Sequence, residues 1–128
     1  MSRERTVRTG VVVLALFPLL TGILALVAPA TFFEQIGRYG AENLHYVGDN
    51  GAFAAAFGAA LLASAARPSW RVPLLVLGAA WYGLHALNHL FDIGEARSDA
   101  RGIADTVALA AGAALHGALA RMAGDPRP

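Results

Sequence analysis

The residues best suited to chemistry sit in one stretch, WYGLHALNHLFDI, Trp81 to Ile93. His85, Asn88, His89 and Asp92 fall at offsets 0, 3, 4 and 7. At ~100° per residue these four share about a 100° arc of a helix. Trp81 extends the stripe by one turn, and Gly83, Leu87 and Leu90 take the opposite face. Five further polar residues belong to the same inventory. Asp105 and His116 lie on one stripe of a later segment, and His45 with Asp49 opens an earlier one, followed by Asn50.

Imidazole and carboxylate at this spacing suit several kinds of chemistry. His85, His89 and Asp92 are ligand types for zinc, copper or iron, with Asp49 or Asp105 needed to complete a metal ion's shell. Haem ligation requires His45 or His116 as well, because two imidazoles one turn apart cannot grip opposite faces of one iron. Buried His and Asp exchange protons near neutral pH, as a proton-coupled transporter would need. A polar pocket among them also suits a small organic molecule or a quinone. Against all of these stands hydrogen bonding between helices that fixes register, at ~1 kcal/mol per bond. No glutamate separates the two histidines as in H-E-x-x-H, and the chain has no cysteine, which removes thiolate metal sites, disulfides and thiol catalysis.

The elements that must position these groups follow from composition. The 128 residues are 56 % hydrophobic and only 15 % charged, against roughly 45–50 % and 25 % in soluble chains. Mean hydropathy is +0.50. Too few charges remain for a solvated shell, and a nucleic-acid binder driven by basic charge is excluded. Four apolar runs predict helices over about 9–29, 46–66, 72–93 and 102–123, each near the ~20 residues that cross ~30 Å of hydrocarbon. The expected fold is all-α, an integral membrane four-helix bundle in up-down-up-down order, forming a single domain over 1–128. Pro18 is placed to kink the first run. The longest connection, 29–45, carries Phe32, Phe33, Ile36 and Tyr39 and reads as an interfacial segment. Arg67–Arg71 reads as a tight turn with Trp70 at headgroup depth, and Gly94–Arg101 as a polar turn.

Arginine supplies every basic charge. With abundant Ala and Gly, this usage resembles GC-rich bacterial coding. Arg3, Arg5, Arg8, Arg67, Arg71, Arg121 and Arg127 fall on one side of the expected bundle, and Arg38, Arg97 and Arg101 on the other. The bias toward the first side puts both termini in the cytoplasm of a bacterial plasma membrane. The opposite side collects Glu34, Glu42, Asp49, Asp92, Glu95, Asp99 and Asp105. A basic start followed by Ala28-Pro29-Ala30 resembles a signal peptide, yet the apolar run is longer than the usual 7–15 residues, so an uncleaved first helix is expected.

Depth brings part of the inventory together. With Ile93 at the outer end of its helix, His89 lies ~6 Å deep and His85 ~12 Å deep. Asp49, His89, Asp92 and Asp105 then share the outer leaflet, with Asn88 as a hydrogen-bonding support. His116 falls nearer the cytoplasmic end and reads as a core histidine. Trp81 and Tyr82 read as packing. Small residues recur at Ala52, Ala56, Ala60 and Ser64, alongside Gly51, Ala55, Gly58 and Ala59, and again at Ala108, Gly112 and Ala120. Such stripes permit close helix approach, within one bundle or in a homo-oligomer.

The motifs GDNGAF (Gly48–Phe53) and HALNHLFD (His85–Asp92) resemble a group of small four-helix actinobacterial membrane proteins, similar in layout to the DoxX-like and DUF4345-like sets. The resemblance covers roughly half the chain. It implies the fold and singles out Asp49, His85 and His89, without a catalytic assignment. The function expected is a non-catalytic accessory or structural membrane component with an outward-facing polar pocket of Asp49, His85, Asn88, His89, Asp92 and Asp105. The alternative is a redox, quinone-, haem- or metal-binding membrane enzyme or a proton-coupled transporter that uses this pocket. The lipid bilayer is the expected partner, and nucleic acid is not.

Overall fold

The computed structural model describes residues 2–124, so Arg127, counted above on the basic side, lies outside the described residues. Among the described residues every regular element is helical: α1 (Arg3–Val27), α2 (Pro29–Gln35), α3 (Leu44–Ala63), α4 (Pro68–Phe91) and α5 (Asp99–Gly124), with a 3₁₀ turn at Ile93–Glu95. The all-α expectation holds.

Local chemistry sets the boundaries. The Ser2 side chain caps α1, and Asn43 caps α3 by accepting from the Tyr46 N–H at 3.0 Å. Pro29 and Pro68 open α2 and α4, where a missing N–H costs nothing. Two elements therefore start earlier than hydropathy indicates. The first helix takes in Arg3, Glu4, Arg5 and Arg8, and the fourth takes in most of the expected Arg67–Arg71 turn. The connection 29–45 is not all loop, because Pro29–Gln35 coils into α2 and buries Phe33 against Ala25 and Val47.

The helices α1, α4 and α5 are long and apolar enough to cross a membrane. At 24–26 residues and ~1.5 Å per residue, each exceeds ~30 Å of hydrocarbon. The helix α3 is comparably long at 20 residues, but His45, Asp49 and Asn50 occupy its first two turns and lower its apolar character. No more than 28 % of any candidate span is buried inside the protein. Val13, Phe17, Leu20, Val76, Leu84 and Val107 all point outward. A chain whose outward faces are this apolar is embedded in a membrane.

The interior is built on small residues that let backbones touch. A Cβ added at Gly22 would sit 2.3 Å from the Ala55 nitrogen, and one at Gly58 would sit 2.5 Å from the Leu19 nitrogen. The packing face of α3 is thus Gly51, Ala55 and Gly58, against α1. Of the small residues expected on this helix, Gly51, Ala55 and Gly58 make the contact, Ala52, Ala56 and Ala59 are exposed, and Ser64 is fully buried. On α5, Gly112 packs against Tyr82 and Ala120 is buried, whereas Ala108 is exposed. One buried cluster joins all four long helices through Val7, Val11, Phe57, Leu61, Leu75 and Leu119.

Candidate functional site

At one end of the molecule, the chain after α2 folds back over the last turns of α4 and the first turn of α5. Gly40, in the left-handed conformation at φ 58°, makes the bend that glycine tolerates best. Its N–H donates to the Glu95 carbonyl, and Tyr39 bridges to Ala96. Tyr39 is thereby held beside two of the predicted residues. Its ring meets the His89 ring edge-on, with centroids 4.3 Å apart. Its hydroxyl donates to Asp105 Oδ2 at 3.2 Å. Arg101 Nε donates to the same carboxylate oxygen at 2.9 Å.

Below Tyr39, the Nε2 atoms of His85 and His89 lie 3.0 Å apart, so one ring donates and the other accepts. The His89 Nδ1 is buried without a hydrogen-bond partner among the described residues. Burial first, and the Asp105 charge second, push the Tyr39 phenol up to about 12. Tyr39 therefore stays protonated and keeps donating throughout the neutral range.

The remaining predicted residues separate from this pair. Asn88 is exposed and donates to Asp92 Oδ2 at 3.1 Å, one turn away on the same helix. Asp92 is the C-cap of α4, and its carbonyl accepts from Glu95 in the following 3₁₀ turn. Asp49 is exposed and stands 3.6 Å from His45 on α3. Among the described residues, no three His, Cys, Asp or Glu side chains are grouped as a metal shell would need. Asp105 joins the histidines through Tyr39, a residue that sequence reasoning assigned to the interface. Nothing in the sequence pairs Tyr39 with Asp105, because the contact depends on how the connection folds back.

A run of ring contacts leads from the histidines toward the middle of the protein. His85 stacks on Trp81 at 6.4 Å, and Trp81 meets Phe53, Phe57 and Tyr82 at 5.0–5.3 Å. Tyr82 and Phe57 in turn enclose His116. His116 is 1 % exposed, and its Nδ1 bonds to the Gly112 carbonyl at 2.8 Å, while its Nε2 has no partner among the described residues. It lies directly on Gly78, where a Cβ would come within 2.3 Å of its ring. His116 is a core histidine, as the sequence suggested, with one ring nitrogen left over.

The opposite end carries a second polar cluster that hydropathy did not reveal. Arg71 is buried, and its Nη1 donates to Glu4 Oε1 and Oε2 at 2.9 and 3.0 Å. Its remaining donors reach the Ser64 and Ala65 carbonyls at the end of α3. Arg3 donates to the Met122 carbonyl at the end of α5. One signal was present in the sequence: Glu4 is a single acid among Arg3, Arg5 and Arg8.

Comparison with protein-family models, with curated proteins and with solved structures gives no match to this chain.

Proposed function

We propose that this chain is a four-helix, up-down-up-down integral membrane protein of the bacterial plasma membrane with both termini cytoplasmic. In this reading it is a non-catalytic accessory or structural component, and its outward end carries a polar layer of His85, His89, Tyr39 and Asp105. The observation that supports it most is the hydrogen-bonded and ring-packed series His85–His89–Tyr39–Asp105–Arg101, which ties the connection after α2 to both α4 and α5. Polar groups placed among apolar helices are costly unless partnered, and here they partner one another. The contacts at both ends fit alternating helix directions: Glu4, Ser64, Arg71 and Met122 gather at one end, and Glu34, Tyr39, His89, Arg97 and Arg101 at the other. The DoxX-like layout belongs to the same reading and rests on GDNGAF and HALNHLFD.

A second reading is a redox-active or ligand-binding membrane protein. It is favoured by the partnerless His89 Nδ1 and by the aromatic wall of Phe53, Phe57 and Trp81 leading to His85, which suits a flat quinone-like ring. The absorption spectrum and metal content of purified protein separate the two. The first reading expects no Soret or quinone band and no stoichiometric metal; a stoichiometric chromophore or metal lost in His85→Ala/His89→Ala establishes the second. Because the chain has no native cysteine, single-cysteine labelling tests the orientation. Arg97→Cys is expected to react with an impermeant reagent applied outside intact cells, and Ser69→Cys is not. The reverse pattern inverts the topology.

A further inference from the structure

The arginines that depart from the basic side of the chain are Arg38, Arg97 and Arg101, and all of them line one cleft. It has a volume of about 100 Å³, with Glu34, Ile36 and Asp105 completing its wall. Arg38, far in sequence from Arg97 and Arg101, meets them because α2 and the chain after it lie across the start of α5. Arg97 Nη2 donates to the Glu34 carbonyl at 2.6 Å, and Arg101 Nη2 reaches the Ile36 carbonyl at 3.5 Å.

The guanidinium groups differ in how firmly they are held. Arg101 makes a tight pair with Asp105 at 2.9 Å. Glu34 instead serves two arginines at long range, Arg38 at 3.5 Å and Arg97 at 3.7 Å, and all three of these side chains are about half exposed. A shared, half-exposed carboxylate at those distances is a weak counter-ion. Three guanidinium groups and two carboxylates line the cleft, so its lining groups carry one positive charge in excess. Each guanidinium has five N–H donors, and the contacts described leave several of them unused.

From this geometry we propose that the cleft binds a phosphate group, with Arg38 and Arg97 forking onto its oxygens in place of the Glu34 carboxylate. Arg101, fixed by Asp105, supplies the third side of the positive field. Paired guanidinium forks match tetrahedral phosphate oxygens in a way a single carboxylate at 3.5 Å does not. The phosphate has two sources with the same chemistry: the headgroup of a phospholipid or a free phosphate ion. The inference is independent of the role given to His85 and His89; only the lipid source depends on the membrane orientation proposed above.

The test uses full-length protein in a phosphorus-free detergent. Titration calorimetry with inorganic phosphate reads the soluble source. Mass spectrometry of protein exchanged into mixed micelles reads preference for phosphatidylglycerol over a phosphate-free galactosyl diacylglycerol. Binding of either probe is expected, weakened ~tenfold or more in Arg38→Ala/Arg97→Ala and strengthened in Glu34→Gln, which removes the competing carboxylate. Arg67→Ala, at the opposite end, is expected to leave binding unchanged. Selective retention of phosphatidylglycerol alone assigns the lipid source, and binding of inorganic phosphate assigns the soluble one. Absence of binding by both probes overturns the proposal. So does binding that neither the double variant nor Glu34→Gln alters. Glu34 is half exposed, so its variant remains a valid test even where the double arginine variant fails to fold.

Discussion

The two ends of this protein solve the same problem differently. At the end where α1 begins and α5 finishes, Arg71 is buried with Glu4 against its guanidinium and the Ser64 and Ala65 carbonyls on its other donors. That cluster seals the close of α3 to the start of α4 and to α1. At the other end the polar groups are half-buried, linked in series, and leave the His89 Nδ1 without a partner. A charge satisfied on every side is a fastener. A chain of neutral and charged groups with a nitrogen left over can hold a segment and still accept something further. The difference teaches where to look for function in a small membrane protein: at polar groups whose hydrogen-bonding capacity is incompletely used.

The comparison can be broken from either end. The largest effect is expected for Arg71→Ala, which strips α3's terminal carbonyls and Glu4 of their charged donor. A loss of roughly 2–3 kcal/mol is expected in a detergent unfolding titration. A loss below that of the exposed Arg97→Ala would remove the distinction between the ends. Gly78→Ala comes next. It places a Cβ 2.3 Å from the His116 ring, and the aromatic packing around that ring limits the space to retreat. The cost expected is about 1–3 kcal/mol, read as a lower midpoint with unchanged helical circular dichroism.

Tyr39→Phe sharpens the contrast through pH. The Tyr39 pKa is raised from 10.0 to about 12 in the folded protein, so folding favours the protonated phenol. Its contribution is complete below pH 10 and is lost as pH rises through 12. At neutral pH the variant is expected to lose about 1 kcal/mol with the Asp105 hydrogen bond. Between pH 10 and 12 it is expected to lose stability less steeply than the native chain. Parallel pH profiles would refute the Tyr39–Asp105 contact as a stabilising one. The smallest effect, within about 1 kcal/mol, is expected for Arg97→Ala, whose ion pair is half exposed and screened.

Much of this was legible in the sequence, and the gaps have physical causes. Long apolar runs gave the helices, since hydropathy and length alone determine whether a segment can span. The i, i+4 spacing of His85 and His89 placed their rings together because a helix fixes that geometry locally. Hydropathy could not give the start of α1 at Arg3, because Ser2 capping and helix propensity act where apolar character is absent. Nor could spacing reveal Tyr39 against His89 or Glu4 against Arg71. Both contacts join distant parts of the chain and depend on how its segments pack. The same holds for α3, whose small residues lie on two neighbouring stripes, of which Gly51 and Gly58, not Ala52 and Ala56, face α1. A stripe of small residues shows that close approach is allowed, but the partner helix decides which side is used.

The central claim, that His85 and His89 belong to a polar layer holding the end of the molecule together, is tested most directly by thermal unfolding of His85→Ala/His89→Ala beside the native protein. The double variant removes the paired Nε2 atoms and the surface on which Tyr39 rests. A midpoint lowered by the equivalent of about 1–2 kcal/mol is predicted, with hydrogen exchange of the Gly40 amide, which is bonded to the Glu95 carbonyl beside Tyr39, becoming faster. An unchanged midpoint with unchanged exchange at Gly40 would contradict the account.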